Sequence, residues 1–206
     1  ALTEFLPVSS SGHLVLAQSL MESDSIGGGA AFEVAVHLGT LLSILCLFWR
    51  DVLDLLIGFR RPTPEWRQLL QFILLGSVPA GVIGLLFKDE LEAAFSSTTG
   101  VGVALCLTGL ILLSTLRLNG SRVEHTWRDA LWIGCAQAVA ILPGISRSGS
   151  TIAAALALGI SRAHAARLSF LMSIPVVAGA GVLKGLDLLE TPPSSDVITA
   201  LWVGGG

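Results

Sequence analysis

The chain has 206 residues, of which 52% are hydrophobic and only 13% charged, with a mean hydropathy of +0.77. Soluble domains run nearer a quarter charged, so these values exclude an ordinary soluble domain and point to an integral membrane protein. The net charge of −3, with no dense Lys/Arg cluster and no interleaved aromatics, excludes a nucleic-acid partner.

The first segment, about 1–24, carries a break: Leu6-Pro7-Val8-Ser9-Ser10-Ser11-Gly12-His13 leads into an apolar run. Runs of about 20 apolar residues predict membrane spans near 31–49, 68–87, 99–116 and 167–186, with another opening at about 197. Between the third and fourth, 127–160 contains a second break, Leu142-Pro143-Gly144-Ile145-Ser146-Arg147-Ser148-Gly149. Both breaks read Leu-Pro, a spacer, Ser-x-Ser-Gly, then an apolar run, so each predicts a helix pair that enters and leaves the membrane on one side. With no initiator Met, and an end at Gly204-Gly205-Gly206 where an apolar segment opens, the chain is expected to be trimmed at both ends of a single domain. No basic start with a small-residue cleavage site marks a signal peptide. Cys46, Cys106 and Cys135 lie in apolar runs without C-x-x-C spacing, and read as small hydrophobes rather than zinc ligands or disulfide partners.

Loop charge predicts the orientation. Arg50, Arg60, Arg61 and Arg67 lie in one loop and Arg117, Arg122 and Arg128 in another, whereas Lys88 faces Asp89, Glu90 and Glu92 in a third. By the positive-inside rule the first two loops are cytoplasmic and the third external. The two breaks then approach the bilayer midplane from opposite faces. The expected fold is therefore all-α: a polytopic membrane protein with inverted-topology repeats and two re-entrant helix hairpins, the arrangement in which half-helix N-termini point at an anionic group.

Ionisable and hydroxyl groups concentrate at the breaks. Ser10 and His13, at i and i+3, share a helix face if the helix starts near Ser9 or Ser10, and a hydroxyl beside an imidazole is a nucleophile beside a base. A Ser N-cap with an unrelated His is the competing structural reading. Glu4 reads as a base, a metal ligand or an interfacial residue. Ser146, Arg147 and Ser148 at a Gly-rich helix start, with Thr151 at i+3 from Ser148, supply guanidinium and hydroxyl donors to an oxyanion or phosphate. Arg147 has no acidic residue near it in sequence. Glu33, His37 and Gln137 read equally as supporting polar groups or as satisfied core residues. His125 and His164, among arginines, are expected to be solvated, and Trp49, Trp66, Trp127 and Trp132 to anchor the interface.

These residues resemble the bacterial undecaprenyl-diphosphatase family. Its pattern is an E-x-x-x-E pair running into P-V-S-S-[ST]-G-H, then P-G-x-S-R-S-x-x-T. This chain reads Glu4-Phe5-Leu6-Pro7-Val8-Ser9-Ser10-Ser11-Gly12-His13 and Pro143-Gly144-Ile145-Ser146-Arg147-Ser148-Gly149-Ser150-Thr151, in the same order. The resemblance spans nearly the whole chain, with one departure: the first acidic residue of the pair would fall before Ala1. The type-two phosphatidate phosphatase family, which also uses Ser-Gly-His and Ser-Arg elements, needs a His about six residues after that Arg, where this chain has Ala153.

The resemblance implies a hydrolase that converts undecaprenyl diphosphate to the monophosphate for cell-wall synthesis, associated with bacitracin resistance and placed in the bacterial inner membrane. It implies Ser10, His13, Glu4 and Arg147 as catalytic residues, with Ser9, Ser11, Ser146, Arg147, Ser148 and Thr151 binding substrate. Ser10 is the expected nucleophile and His13 its base, the reverse assignment staying open. Glu4 would hold a divalent cation, Mg²⁺ or Ca²⁺, or activate the nucleophile. The partners implied are the polyprenyl diphosphate lipid and the membrane, with a homodimer left open. The rival class is a transporter or flippase of a phosphorylated lipid, which needs binding groups but no nucleophile.

Overall fold

The computed structural model describes residues 6–20, 29–95 and 97–190. Glu4, at the head of the first break, and the apolar segment from about 197 lie outside the described residues. Nine helices make up the described part: α1 (Ser10–Leu20), α2 (Gly29–Leu47), α3 (Trp49–Gly58), α4 (Pro64–Leu86), α5 (Lys88–Phe95), α6 (Thr98–Thr115), α7 (Trp127–Val139), α8 (Arg147–Ala157) and α9 (Arg162–Glu190). No strand occurs among the described residues; a single parallel bridge joins Arg122 to Ile160.

Local sequence sets the helix starts. Thr63 caps α4 by accepting the Trp66 N–H, with Pro64 in the first turn, where its missing N–H costs nothing. Ser97 caps α6 through the Gly100 N–H. Thr126 and Asp129 form a reciprocal capping box at the head of α7, each side chain bonding the other's backbone N–H.

Three segments, Pro64–Leu86, Thr98–Thr115 and Arg162–Leu183, are long and apolar enough to cross a membrane, close to the predicted spans. Their outward faces are apolar as well: Leu74, Val78, Val82 and Leu85 of α4, and Val103, Leu107 and Leu110 of α6, are exposed at near-helical spacing. Water penalises such a stripe and lipid does not. The remaining predicted span, 31–49, overlaps α2, of which Leu38–Leu47 is the apolar described stretch. Cys46, Cys106 and Cys135 are free thiols on exposed helix positions.

The core lies among α4, α7, α8 and α9, where Phe72, Ile133, Leu156, Ile160, Leu168 and Met172 are buried. Small residues bring the helices together. A Cβ on Gly134 would stand 2.5 Å from the Gly76 carbonyl oxygen, so α4 and α7 cross backbone against backbone. The segment after α6 is fastened to the end of α8. Arg122 Nη2 donates to the Leu158 carbonyl (3.0 Å) and to Asp129 (2.9 Å), while Arg162 bonds the Thr115 and Leu118 carbonyls. Each arginine thus closes a helix C-terminus, where orphan carbonyls and the negative dipole end favour a cation.

Candidate active site

The two breaks fold alike. Ser9 caps α1: its hydroxyl accepts the Gly12 N–H (3.3 Å) and lies 3.4 Å from the Ser11 hydroxyl. Ser146 caps α8 in the same manner, accepting the Gly149 N–H (3.1 Å) with the Ser148 hydroxyl 3.5 Å away. The shared Ser-x-Ser-Gly string therefore encodes one hydrogen-bond pattern twice, on caps of different backbone conformation. The glycine three residues on donates its N–H to the capping serine, and the serine just before that glycine, Ser11 or Ser148, has its hydroxyl beside the cap. Ser10 and Arg147 occupy the equivalent first helical position of the two starts.

Each break needs one left-handed residue. In the second it is Gly144, at φ +94°, a conformation glycine takes without steric cost. In the first it is Ser9 itself, at φ +61°, where an ordinary residue stores about 1–3 kcal/mol. That strained carbonyl accepts the His13 N–H (3.2 Å) and lies 2.8 Å from His13 Nδ1. A carbonyl only accepts, so Nδ1 carries the proton and Nε2 is the unprotonated nitrogen of the neutral ring. His13 is exposed, and its ring is oriented by the backbone of its own helix cap.

Tertiary packing brings the breaks together on α6. Gly12 sits against Gly144 and Leu105, and Gly144 against Val101 and Ala104. Thr108, 4% exposed, donates to the Gly144 carbonyl (2.8 Å) and accepts the Ser146 N–H (3.0 Å). Ser9, Ser146 and Ser148 are buried, whereas Ser10, Ser11 and Arg147 are half-buried. Two capped helix N-termini thus meet on α6, with Arg147 at the first position of one of them, and backbone N–H groups with hydroxyls at such starts are donors suited to an anion.

Thr151, expected among the substrate-binding hydroxyls, stands behind them. It is fully buried, 2.6 Å from the Ser169 hydroxyl of α9 and bonded to the Arg147 carbonyl (2.8 Å). It braces the first turn of α8 from within. Gln137 is also buried, its amide reaching the Gly76 carbonyl at 3.4 Å. The side chains of Glu33 and His37 lie outside the described residues.

No group of three or more His, Cys, Asp or Glu side chains gathers among the described residues, where the oxygen atoms at the two helix starts are those of serine hydroxyls and backbone carbonyls. Glu4, the carboxylate assigned to a divalent cation, lies outside the described residues.

His125 and His164 are half-buried rather than freely solvated, because the start of α9 packs beside the segment before α7. Their Nδ1 and Nε2 atoms stand 3.2 Å apart, and the His125 ring packs edge-on against Phe72. Burial, with the neighbouring His164 and Arg167, pushes the His125 imidazole below its ordinary value, against the opposing pull of Asp129. His125 borders a cleft of about 420 Å³ lined also by Asp54, Arg61, Trp66 and Arg167. It lies at the start of α7, whereas the serine loops lie at its end, roughly 20 Å away along a helix of this length. Trp49, Trp127 and Trp132 are exposed, with Arg50 and Arg128 over the first two rings.

Sequence reading missed Thr108 and Ser169. The available signal was a hydroxyl inside a strongly apolar span, which implies a partner on another helix; nothing local named that partner.

The family described as bacitracin resistance protein BacA has a model that matches residues 1–205. An undecaprenyl-diphosphatase of Halothermothrix orenii is 46% identical over 195 residues, 92% of this chain and 72% of that protein. One of Methanosphaera stadtmanae is 38% identical over 219 residues (97% and 78%), and undecaprenyl-diphosphatase 2 of Stutzerimonas stutzeri is 44% identical over 214 residues (98% and 78%). A match of this length, over residues that include both serine-rich breaks, means that the chain belongs to the bacitracin resistance protein BacA family.

Proposed function

We propose that this chain hydrolyses undecaprenyl diphosphate, releasing inorganic phosphate and leaving the lipid monophosphate, at the junction of its two capped helix starts. The observation that carries this reading is the contact of Gly12 with Gly144, which sets a nucleophile-bearing helix start against an arginine-bearing one. Phosphoryl transfer needs mainly positioning and charge stabilisation. Arg147, with Ser146, Ser148, Ser9 and Ser11 around it, supplies donors to the phosphate oxygens, and the positive ends of α1 and α8 add to them.

The chemical steps follow from the His13 tautomer. Ser10 Oγ attacks the terminal phosphorus; the Oγ–P bond forms as the anhydride P–O bond breaks. His13 Nε2 takes the hydroxyl proton and passes it to the departing monophosphate oxygen. Water then attacks the phosphoserine and gives a proton to His13, and Ser10 Oγ recovers it on leaving. His13 needs an unprotonated Nε2 for this role, and the Ser9 carbonyl provides one by holding the proton on Nδ1.

The membrane arrangement supported by the loop charges is multi-pass in the bacterial inner membrane, arginine-rich loops inside, with α7–α8 and the α1 break as re-entrant hairpins of an inverted repeat. The like capping of α1 and α8 supports the repeat. A cation on Glu4 is supported by the sequence resemblance alone, and no step above is routed through it.

The test is phosphate release from undecaprenyl diphosphate by the purified protein in detergent, with Ser10→Ala, His13→Ala and Arg147→Ala beside it. Turnover that each variant reduces by about a hundredfold or more supports the reading. Binding of the lipid without phosphate release would instead make the chain a carrier.

A further inference from the structure

Thr108 differs from Ser43, Ser114 and Thr115, whose hydroxyls bond within their own helix, and from Ser77, which bonds its own helix and reaches the Met172 carbonyl of α9 only at 3.4 Å. Ser43 and Ser77 donate to carbonyls four residues back (Gly39, 2.8 Å; Ile73, 2.7 Å), and Ser114 and Thr115 to carbonyls three residues back (Ile111 and Leu112, both 2.6 Å). That is the ordinary resting place of such a hydroxyl. Thr108, on the same helix as the last two, spends its single O–H on the Gly144 carbonyl of another segment and lends a lone pair to the Ser146 N–H.

The reason lies at the start of α8. The N–H of an N-cap residue is commonly satisfied by a Glu or Gln three residues on, and α7 does this with Asp129. In α8 that position is Gly149, which has no side chain to offer. It has little room for one, since a Cβ would meet the Ser146 side chain at 3.1 Å and Leu112 at 3.3 Å. The Ser146 N–H is buried, so without Thr108 it would be an orphan donor. A carboxylate there would satisfy it but would place a negative charge at a helix end that is to receive phosphate. A neutral hydroxyl from α6 satisfies the same N–H and leaves the field for the substrate.

We infer that Thr108 is a positioning residue of the phosphatase site: it takes the place of the missing capping-box side chain, fixes the Ser146 cap and the Gly144 turn, and so holds Arg147 and Ser148 where they meet the diphosphate. The inference rests on the proposed hydrolase reading and concerns a residue that touches no substrate atom. Its action runs through the loop.

The experiment compares the whole protein with Thr108→Val, Thr108→Ala and Thr108→Ser, with Thr115→Val as a control whose hydroxyl bonds only its own helix. Steady-state phosphate release and thermal midpoint are measured for each. Removing the hydroxyl should lower kcat/KM by about tenfold to a hundredfold, as a small displacement of binding groups does. The loss should appear in both hydroxyl-free variants and exceed any loss in Thr115→Val, while Thr108→Ser should stay within about threefold of the parent. Parent turnover in the same assay tests the hydrolase reading separately. Full activity in a folded Thr108→Val or Thr108→Ala protein overturns the inference. So does a Thr108→Ser variant that folds yet is as impaired as they are, since the hydroxyl would then not be the working group.

Discussion

Gly12 and Gly144 pack backbone to backbone: a Cβ built on Gly12 would stand 2.9 Å from the Gly144 Cα and 2.9 Å from Leu105 Cδ2. The two breaks are 132 residues apart in sequence, and this contact is where they meet. A side chain at Gly12 must push one break off the other. Alanine is intrinsically the better helix residue by about 1 kcal/mol, so helix propensity alone would stabilise the variant. Gly12→Ala is therefore expected to lose turnover by about tenfold or more without a matching loss of helicity, checked by phosphate release and far-ultraviolet circular dichroism. Unchanged turnover would show that the contact does not set the site.

Arg147 stands at the first position of α8, and the planar fork of its guanidinium can grip two phosphate oxygens at once. Lysine keeps the charge and loses the fork. Arg147→Lys is expected to retain less than about a tenth of the turnover, with KM rising. A variant that keeps most of its kcat/KM would mean that charge alone suffices.

In the proposed mechanism Ser10 accepts the phosphoryl group and His13 Nε2 serves as its base. Rapid acid quenching during turnover of lipid labelled in the terminal phosphate should trap label on Ser10 as an acid-stable ester, absent in Ser10→Ala. Acid-labile, base-stable label would place the phosphoryl group on His13, and the reverse assignment would hold.

Asp129 carries a pH prediction for stability. Burial raises its pKa, but the hydrogen bonds from Arg122 and Thr126 outweigh burial and hold the carboxyl below its ordinary value of 3.8. A carboxyl depressed in the folded state contributes stability that is fully present above the unfolded value and is lost as pH falls through the folded one. Asp129→Asn, which breaks the pair with Arg122, is expected to cost about 1–3 kcal/mol near neutral pH. The gap in thermal midpoint between parent and variant should shrink as pH falls below about 4. A gap that stays constant down to pH 3 would mean that the charge contributes nothing.

Sequence by itself determined what depends on neighbours along the chain. Apolar runs of about 20 residues place α4, α6 and α9 within a few residues of their bounds, because burying a helix in lipid needs only length and hydrophobicity. The Ser-x-Ser-Gly strings determine two capped helix starts, because a cap is a bond between residues three apart. The motifs also carry the family. Tertiary structure alone decided which of these residues share a site. That Gly12 meets Gly144, that Thr108 serves Ser146, and that Thr151 turns inward to Ser169 depend on how α1, α6, α8 and α9 pack, and an isolated threonine in an apolar run carries no record of its partner. The same holds for His125 and His164, 39 residues apart, which look freely solvated among arginines until the start of α9 packs beside the segment before α7. Contacts between distant segments are set by the shape complementarity of whole helix faces, and no short stretch of sequence contains that information.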